Sequence, residues 1–157
     1  MYTFDCDLHQ TQTFAAMVAG ISLPFDVITL KGDLGVGKSV FARSFIQSLL
    51  GPHTDVPSPT FTLVQQYKGP HCFIWHFDLY RIDTPHHVWN LGIEEALDGG
   101  LCLIEWPERL PPLTFKHHLN IHIKNTQDAH KRSMNVTLSH DFQKRFDVIE
   151  QTFIQKL

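Results

Sequence analysis

A glycine-rich segment carries the groups in this chain that are best suited to bind phosphate. It reads Gly-Asp-Leu-Gly-Val-Gly-Lys-Ser over residues 32–39 and matches the pattern G-x-x-x-x-G-K-[ST]. Its glycines let the backbone turn so that successive amide N–H groups can point at phosphate oxygens. Lys38 can reach the β- and γ-phosphates as a point charge, and the Ser39 hydroxyl can ligate Mg²⁺. The segment therefore predicts a nucleotide-binding site.

The residues expected to contact the nucleotide form one continuous run, and the strand and helix that such a loop needs flank it. A short β-branched apolar run at 27–30 predicts a buried strand, and apolar residues at helical spacing predict a helix up to residue 50. A helix whose N-terminus faces the loop adds to the anion site. The predicted contact residues are Asp33, Leu34, Gly35, Val36, Gly37, Lys38, Ser39 and Val40.

Glu105 is the first candidate for the metal-side and catalytic carboxylate. It directly follows four apolar residues at 101–104, and an unbroken apolar strand of this kind belongs in the centre of an α/β sheet. Ligands collect at the carboxyl ends of such strands. Many NTPases with this loop have Asp at this position, often followed by Glu, whereas in this chain Glu105 is followed by Trp106. Glu105 is expected to ligate Mg²⁺, to position water, or both.

Asp78 is the second candidate, since it ends a predicted strand at 72–77 among aromatic residues. It could ligate Mg²⁺ directly or through water. It could equally cap the following turn or pair with Arg81, and the residues alone leave these interpretations open.

Thr60 and Thr62 follow a proline-rich segment, as a segment that senses the γ-phosphate would. Thr60 is the candidate catalytic residue of this segment. The alternative is that Pro57 and Pro59 only set a rigid start to the next strand, and spacing does not separate the two interpretations.

Composition limits the class of protein. The 157 residues are enough for one domain, 43% are hydrophobic and 18% charged, and the formal net charge is -3. That charge argues against an extensive direct contact with RNA or DNA. Three cysteines share no metal-like spacing, and neither a signal peptide nor a membrane-length apolar run is visible. We expect a cytoplasmic protein that contacts neither membrane nor DNA.

The remaining elements follow from periodicity and turn signals. Two half-exposed strands are predicted at 119–124 and 134–138, and an antiparallel hairpin from strands at 61–67 and 72–77. Helices are predicted at 11–19, 85–91, 93–97 and 142–157, the last capped by Asp141. The whole chain, 1–157, is predicted to be a single α/β domain of the P-loop NTPase kind, with a central, mostly parallel sheet, antiparallel hairpin strands and flanking helices.

Two further sets of residues lack a diagnostic spacing. The histidines at 86–87 and 117–118 lack the spacing of helical metal ligands, so we expect surface residues rather than a metal site. For the adenine, the turn near Lys131 and Arg132 and the helix near residues 10–13 are the candidates.

Five segments together resemble, in order and spacing, the bacterial TsaE (YjeE) family. They are the phosphate loop, Ser-Pro-Thr-Phe-Thr-Leu-Val at 58–64, His-Phe-Asp-Leu-Tyr-Arg at 76–81, Leu-Gly-Ile at 91–93 and Leu-Ile-Glu-Trp-Pro-Glu at 103–108. The resemblance covers about residues 10–124. It implies an ATP- and Mg²⁺-dependent ATPase, slow when isolated, that acts with the TsaB–TsaD complex in threonylcarbamoyladenosine (t6A) modification of tRNA adenosine 37. The resemblance implies that contact with tRNA is indirect.

The resemblance also implies roles for individual residues. Lys38 and Ser39 would bind phosphate and Mg²⁺, Thr60 would belong to a switch-like loop, and Asp78 and Glu105 would be the acidic pair near the metal. This chain departs from the family pattern in two places: Ser39 stands where Thr is usual, and histidines stand at 86–87 where acidic residues are frequent. The first change keeps the metal-binding hydroxyl.

Two other functions are compatible with a phosphate loop. A small-molecule or nucleoside kinase would need a lid with several arginines and an acceptor pocket, and the sequence offers no arginine cluster and little length for a lid. A GTPase would need an Asn-Lys-x-Asp segment, which is absent. These absences and, above all, the family resemblance favour the ATPase, with the kinase as the alternative.

Overall fold

A seven-stranded sheet organises the chain in a computed structural model that describes residues 1–157. The strands are β1 (Tyr2–Cys6), β2 (Val27–Lys31), β3 (Val64–Lys68), β4 (Phe73–Asp78), β5 (Leu101–Glu105), β6 (His118–Asn125) and β7 (Arg132–Leu138). Their order is β1-β7-β6-β2-β5-β4-β3. The central strands β6, β2, β5 and β4 are parallel, and the outer strands add antiparallel pairs. The predicted α/β domain with a parallel centre and a β3–β4 hairpin is confirmed.

Helices cover the sheet unequally on its two faces. The α-helices are α1 (Leu8–Ile21), α2 (Lys38–Leu50), α3 (Ile93–Leu97) and α4 (His140–Thr152), with 3₁₀ segments at Pro85–Leu91, Pro107–Arg109 and Ile154–Lys156. The larger core joins α1, α2 and α4 to one sheet face, and a smaller core joins α3 and Pro85–Leu91 to the other. No helix is both long enough and apolar enough to cross a bilayer.

The unbroken apolar composition of β2 and β5 follows from this position. Both strands lie between two other strands and carry helices or packed loops on each face, so nearly every residue in them is buried. In β6 the buried and half-exposed residues alternate, because only one face of that strand packs on helices. The predicted half-exposed character of β6 and β7 is thus confirmed.

The structure corrects or refines several predicted elements. Strand β3 begins at Val64 rather than 61, because the N–H of Leu63 donates to the carbonyl of Pro59 at 2.6 Å and closes a turn. Segment 85–91, predicted to be helical, is a 3₁₀ helix. Asp141 is not the cap of α4: Ser139 occupies the N-cap position and Asp141 lies in the first turn, and the α-helix ends at Thr152 instead of 157. Strand β1 was not predicted.

Candidate functional site

The glycine loop takes a shape that only glycine allows at its first position. It joins the end of β2 to the start of α2, and Gly32, Gly35 and Gly37 all have positive φ, of 151°, 76° and 119°. A Cβ on Gly32 would lie 2.5 Å from the carbonyl oxygen of Ile123 and 2.8 Å from a methyl of Val36. Gly37 caps α2 without any side-chain acceptor. The first-turn amides of α2 are therefore donors without a side-chain partner, which is the arrangement that binds anions.

Lys38 is a buried cation held at the mouth of this loop. Its side chain is 4% exposed, and its Nζ donates to the carbonyl oxygens of Gly32 at 2.7 Å and Asp33 at 2.8 Å. Nζ also lies 4.2 Å from the centre of the Trp106 ring. Burial lowers the pKa of Lys38, and the carboxylates of Glu105 and Asp78 act in the opposite direction.

Strand register brings the two predicted carboxylates together beside the loop. Asp78 and Glu105 are opposite each other at the carboxyl ends of β4 and β5, and Leu30 of β2 is opposite Glu105 on its other side. Because these strands are parallel, their ends meet the glycine loop at one sheet edge. The Ser39 Oγ lies 3.4 Å from Oε2 of Glu105, so the loop hydroxyl and this carboxylate are neighbours.

The contacts of Asp78 settle part of what its sequence position left open. Its Oδ1 accepts from the backbone N–H of Tyr80 at 3.0 Å, so it does cap the following turn. Its Oδ2 accepts from the hydroxyl of Thr60, also at 3.0 Å. Asp78 makes no ion pair with Arg81, whose guanidinium instead lies 4.3 Å from the ring centre of the exposed Phe61. Thr60 and Asp78 therefore join the proline-rich segment to the end of β4.

These side chains line one open cavity of about 220 Å³, which we call the carboxylate cavity. Its lining includes the five residues with predicted catalytic or metal-binding roles and two aromatic residues: Lys38, Ser39, Thr60, Asp78, Glu105, Tyr80 and Trp106. The rings of Tyr80 and Trp106 meet at 4.9 Å, and Trp106 has a left-handed backbone with φ 61°. All the residues predicted to have catalytic or metal-binding roles are thus brought to one place.

A second cavity, of about 310 Å³, lies on the other side of the glycine loop between α1, α2 and the β6–β7 turn; we call it the α1 cavity. Its walls are partly apolar and include Val36, Val40, Thr11 and Arg132. Thr11 and Arg132 belong to the two segments that the sequence suggested for the adenine. Lys131 does not line this cavity.

His76 was not predicted as a site residue, yet it contacts Glu105 directly. Its Nε2 lies 2.8 Å from Oε1 of Glu105, and both side chains are almost fully buried. The available signal was a histidine in an otherwise apolar strand, two residues before Asp78. The histidines at 86–87 are exposed, and no group of three or more His, Cys, Asp or Glu side chains is arranged to hold a metal ion alone.

Comparison with known proteins relates this chain to a protein family. The model of the family described as "Threonylcarbamoyl adenosine biosynthesis protein TsaE" matches residues 6–134. A TsaE protein of Rickettsia bellii, named for tRNA threonylcarbamoyladenosine biosynthesis, is 43% identical over 128 residues, which are 82% of this chain and 88% of that protein. The protein of the same name in Bacillus subtilis is 36% identical over 120 residues, covering 76% of this chain and 74% of that one.

A solved structure agrees with the fold over almost its whole length. The crystal structure of Bacillus subtilis YdiB superposes with a TM-score of 0.74 at 28% identity and covers 96% of this chain and 94% of that one. The family match includes the glycine loop, Thr60, Asp78 and Glu105, which are the residues around the carboxylate cavity. The resemblance seen in the sequence motifs is thereby confirmed, and the chain belongs to the TsaE family of threonylcarbamoyl adenosine biosynthesis proteins.

Proposed function

We propose that this protein binds and hydrolyses ATP with Mg²⁺ and acts with TsaB and TsaD homologues in t6A modification of tRNA adenosine 37. The observation that carries the proposal is the carboxylate cavity. A phosphate loop with its lysine and hydroxyl faces two carboxylates from neighbouring parallel strands. A loop that only bound nucleotide would not need an acidic pair on the side where the γ-phosphate would project.

The two cavities on either side of the loop support a nucleotide that crosses it. The α1 cavity, with its partly apolar wall, suits a nucleoside, and the carboxylate cavity suits the terminal phosphate and its metal. Residues Asp33–Val40 between them would contact the phosphates, chiefly through amide donors of the loop and of the first turn of α2.

The donor set fits Mg²⁺. One hydroxyl and two carboxylates are hard oxygen ligands, and this ion normally takes one or two carboxylates and completes its shell with phosphate oxygens and water. Ser39 with Glu105 would hold it, with Asp78 acting directly or through water. When bound, the ion would supply positive charge that offsets the negative charge of the phosphates.

The reaction that these groups can support is in-line attack of water on the γ-phosphate. Lys38 would offset the negative charge that develops on the transferred group, together with the loop amides. Glu105 would orient the attacking water through its carboxylate. Thr60, bonded to Asp78, would sense whether a γ-phosphate is present, so the segment before β3 would differ between the ATP and ADP states.

The partners are those that the family resemblance implies. Relatives are named for tRNA threonylcarbamoyladenosine biosynthesis, and we assign the protein an energy-coupling role beside the TsaB–TsaD pair. A net charge of -3 favours indirect rather than direct contact with tRNA.

The test is ATP hydrolysis by the protein alone, with its TsaB–TsaD homologues, and with tRNA added, with t6A measured in the recovered tRNA. We expect slow hydrolysis alone, stimulation by the pair, and t6A only when all components are present. Absence of Mg²⁺-dependent hydrolysis in every mixture would contradict the proposal. Stimulation by a small phosphate acceptor alone would instead indicate a kinase.

Gly32→Ala is expected to weaken nucleotide binding roughly tenfold or more, because backbone strain of about 1–3 kcal/mol and the clash with Ile123 both displace the loop. Calorimetric titration with ADP measures the change. Gly20→Ala is the matched control: Gly20 lies within α1 with open space around its Cα, so alanine there should leave ADP binding unchanged and stabilise the helix slightly. Equal ADP affinity in Gly32→Ala and wild type would show that the loop tolerates a Cβ.

A further inference from the structure

We propose that His76 is a positioning residue for ATP hydrolysis, which fixes the orientation of the Glu105 carboxylate. This role rests on the proposed function, because it gives Glu105 a particular task in that reaction. His76 would not contact the nucleotide, and it does not line the carboxylate cavity. It acts through one hydrogen bond to Oε1 of Glu105, the carboxylate oxygen that is not next to Ser39.

The side chains of His76 and Glu105 meet on one face of the sheet. His76 lies on β4 and Glu105 on β5, on the face that α2 covers, since their strand neighbours Ile74 and Leu103 belong to the larger core. His76 is 1% exposed and Glu105 is 2% exposed. The Nε2–Oε1 distance is 2.8 Å, and the other oxygen, Oε2, is the one next to the Ser39 hydroxyl. One carboxylate oxygen is thus bonded to the core, and the other faces the site.

The surroundings of His76 decide which partner donates. Its Nδ1 is buried and has no hydrogen-bond partner. A proton on Nδ1 would leave a buried N–H without an acceptor, which costs more than leaving a lone pair there. The proton therefore lies on Nε2, and His76 donates to Oε1 of Glu105. The carboxylate accepts this bond through Oε1, which leaves Oε2 to face the Ser39 hydroxyl.

The buried carboxylate of Glu105 needs a hydrogen-bond donor such as His76. The last torsion of a glutamate side chain is broad, so a carboxylate without a partner on one oxygen can rotate and present its oxygens in many directions. It would also be left with an oxygen that is buried and unpaired. Fixing Oε1 removes both problems and holds Oε2 toward Ser39, where metal and water would be bound.

Asp78, the second carboxylate, is held by other groups. Its two oxygens accept from Thr60 and from the backbone of Tyr80, and neither bond involves His76. Removing the imidazole should therefore disturb Glu105 and leave the contacts of Asp78 in place. The role of His76 is accordingly separable from that of the Thr60 segment.

The test compares His76→Gln with His76→Leu. A glutamine amide can place an N–H where Nε2 stands, and leucine of similar size has no donor. For His76→Leu we expect a kcat for ATP hydrolysis, with the partner pair present, that is lower by roughly 10–100-fold, and a weaker Mg²⁺ dependence of nucleotide binding by about tenfold. The KM for ATP should stay close to wild type, and His76→Gln should recover most of both losses.

Mg²⁺ dependence is measured without catalysis, by titrating Mg²⁺ into the protein with a fluorescent ADP analogue. Thermal unfolding shows whether His76→Leu is folded; if it is not, His76→Asn replaces it, since its shorter amide cannot reach Oε1. In a Glu105→Gln background His76→Leu should shift the Mg²⁺ titration no further, because its effect passes through that carboxylate.

The outcomes separate this role from the proposed function. Wild-type values of both kcat and Mg²⁺ dependence in folded His76→Leu would overturn the role of His76 alone. So would a glutamine variant as impaired as the leucine variant, because the N–H would then not be what matters. A wild-type protein without Mg²⁺-dependent hydrolysis in any mixture would overturn both. A loss in either quantity that glutamine restores supports the role.

Discussion

Lys38→Ala is expected to abolish ATP binding at ordinary nucleotide concentrations and to lower hydrolysis by about 10³-fold. Lys38 is the only cationic side chain that lines the carboxylate cavity, where it faces Asp78 and Glu105. Without it, only backbone amides and the bound Mg²⁺ would offset the charge of a terminal phosphate that faces two carboxylates. The substitution also removes the bonds that tie Nζ to the loop carbonyls of Gly32 and Asp33.

Calorimetric titration with ADP and with a non-hydrolysable ATP analogue measures the loss of binding, and phosphate release with the partner pair measures the rate. Lys31→Ala is the matched control. Lys31 is the last residue of β2, next to the loop, but its side chain is exposed and lies outside the carboxylate cavity. The Lys31→Ala variant should bind and hydrolyse ATP as the wild-type protein does. ATP affinity in Lys38→Ala equal to that of wild type would refute the phosphate role of this residue.

Glu105→Gln should separate binding from hydrolysis. We expect the rate to fall by roughly 10²–10³-fold, since an amide neither orients water as a base does nor ligates Mg²⁺ as well as a carboxylate. ATP affinity should change by only a few-fold, because in the proposed site the loop amides and Lys38 would supply most of the phosphate contacts. The amide keeps the volume and can still accept from His76, so the fold should be retained.

Single-turnover hydrolysis and filter binding of labelled ATP, both with the TsaB–TsaD pair present, measure the two quantities. Glu108→Gln is the control, since this residue is exposed, lies three positions further along the chain and does not line the carboxylate cavity. Wild-type hydrolysis in Glu105→Gln would exclude the assigned role and would leave Asp78 as the acidic residue to examine.

The phosphate loop and its flanking elements could be predicted because their signals are local. Glycines with positive φ, a β-branched strand and a periodic helix lie next to one another in the chain, so no distant contact is needed to recognise them. The position of Glu105 at the end of a buried strand could be predicted in the same way, from the four apolar residues before it. That Asp78 stands opposite it depends on the register between β4 and β5, which the sequence alone does not specify.

What the sequence did not predict depends on contacts between distant residues or on turn geometry. Residues 61–63 have the composition of a strand, but the bond from Leu63 to Pro59 turns the backbone away from pairing until Val64. Strand β1 pairs with β7, about 130 residues later, and has no local turn signal to mark it. The His76–Glu105 contact joins residues 29 positions apart, so a lone histidine in an apolar strand gave no indication of its partner.

The position of β2 has a consequence for how the protein folds during synthesis. The strand that leads into the phosphate loop lies between β5 and β6, and residues 27–31 cannot be flanked on both sides until the ribosome has released residues 118–122. The edge strand β1 can pair only later still, because its residue Tyr2 pairs with Val136. Such distant pairings make folding slow and leave apolar strands unpaired in the nascent chain. The phosphate loop therefore lacks part of its native strand surroundings until near the end of translation.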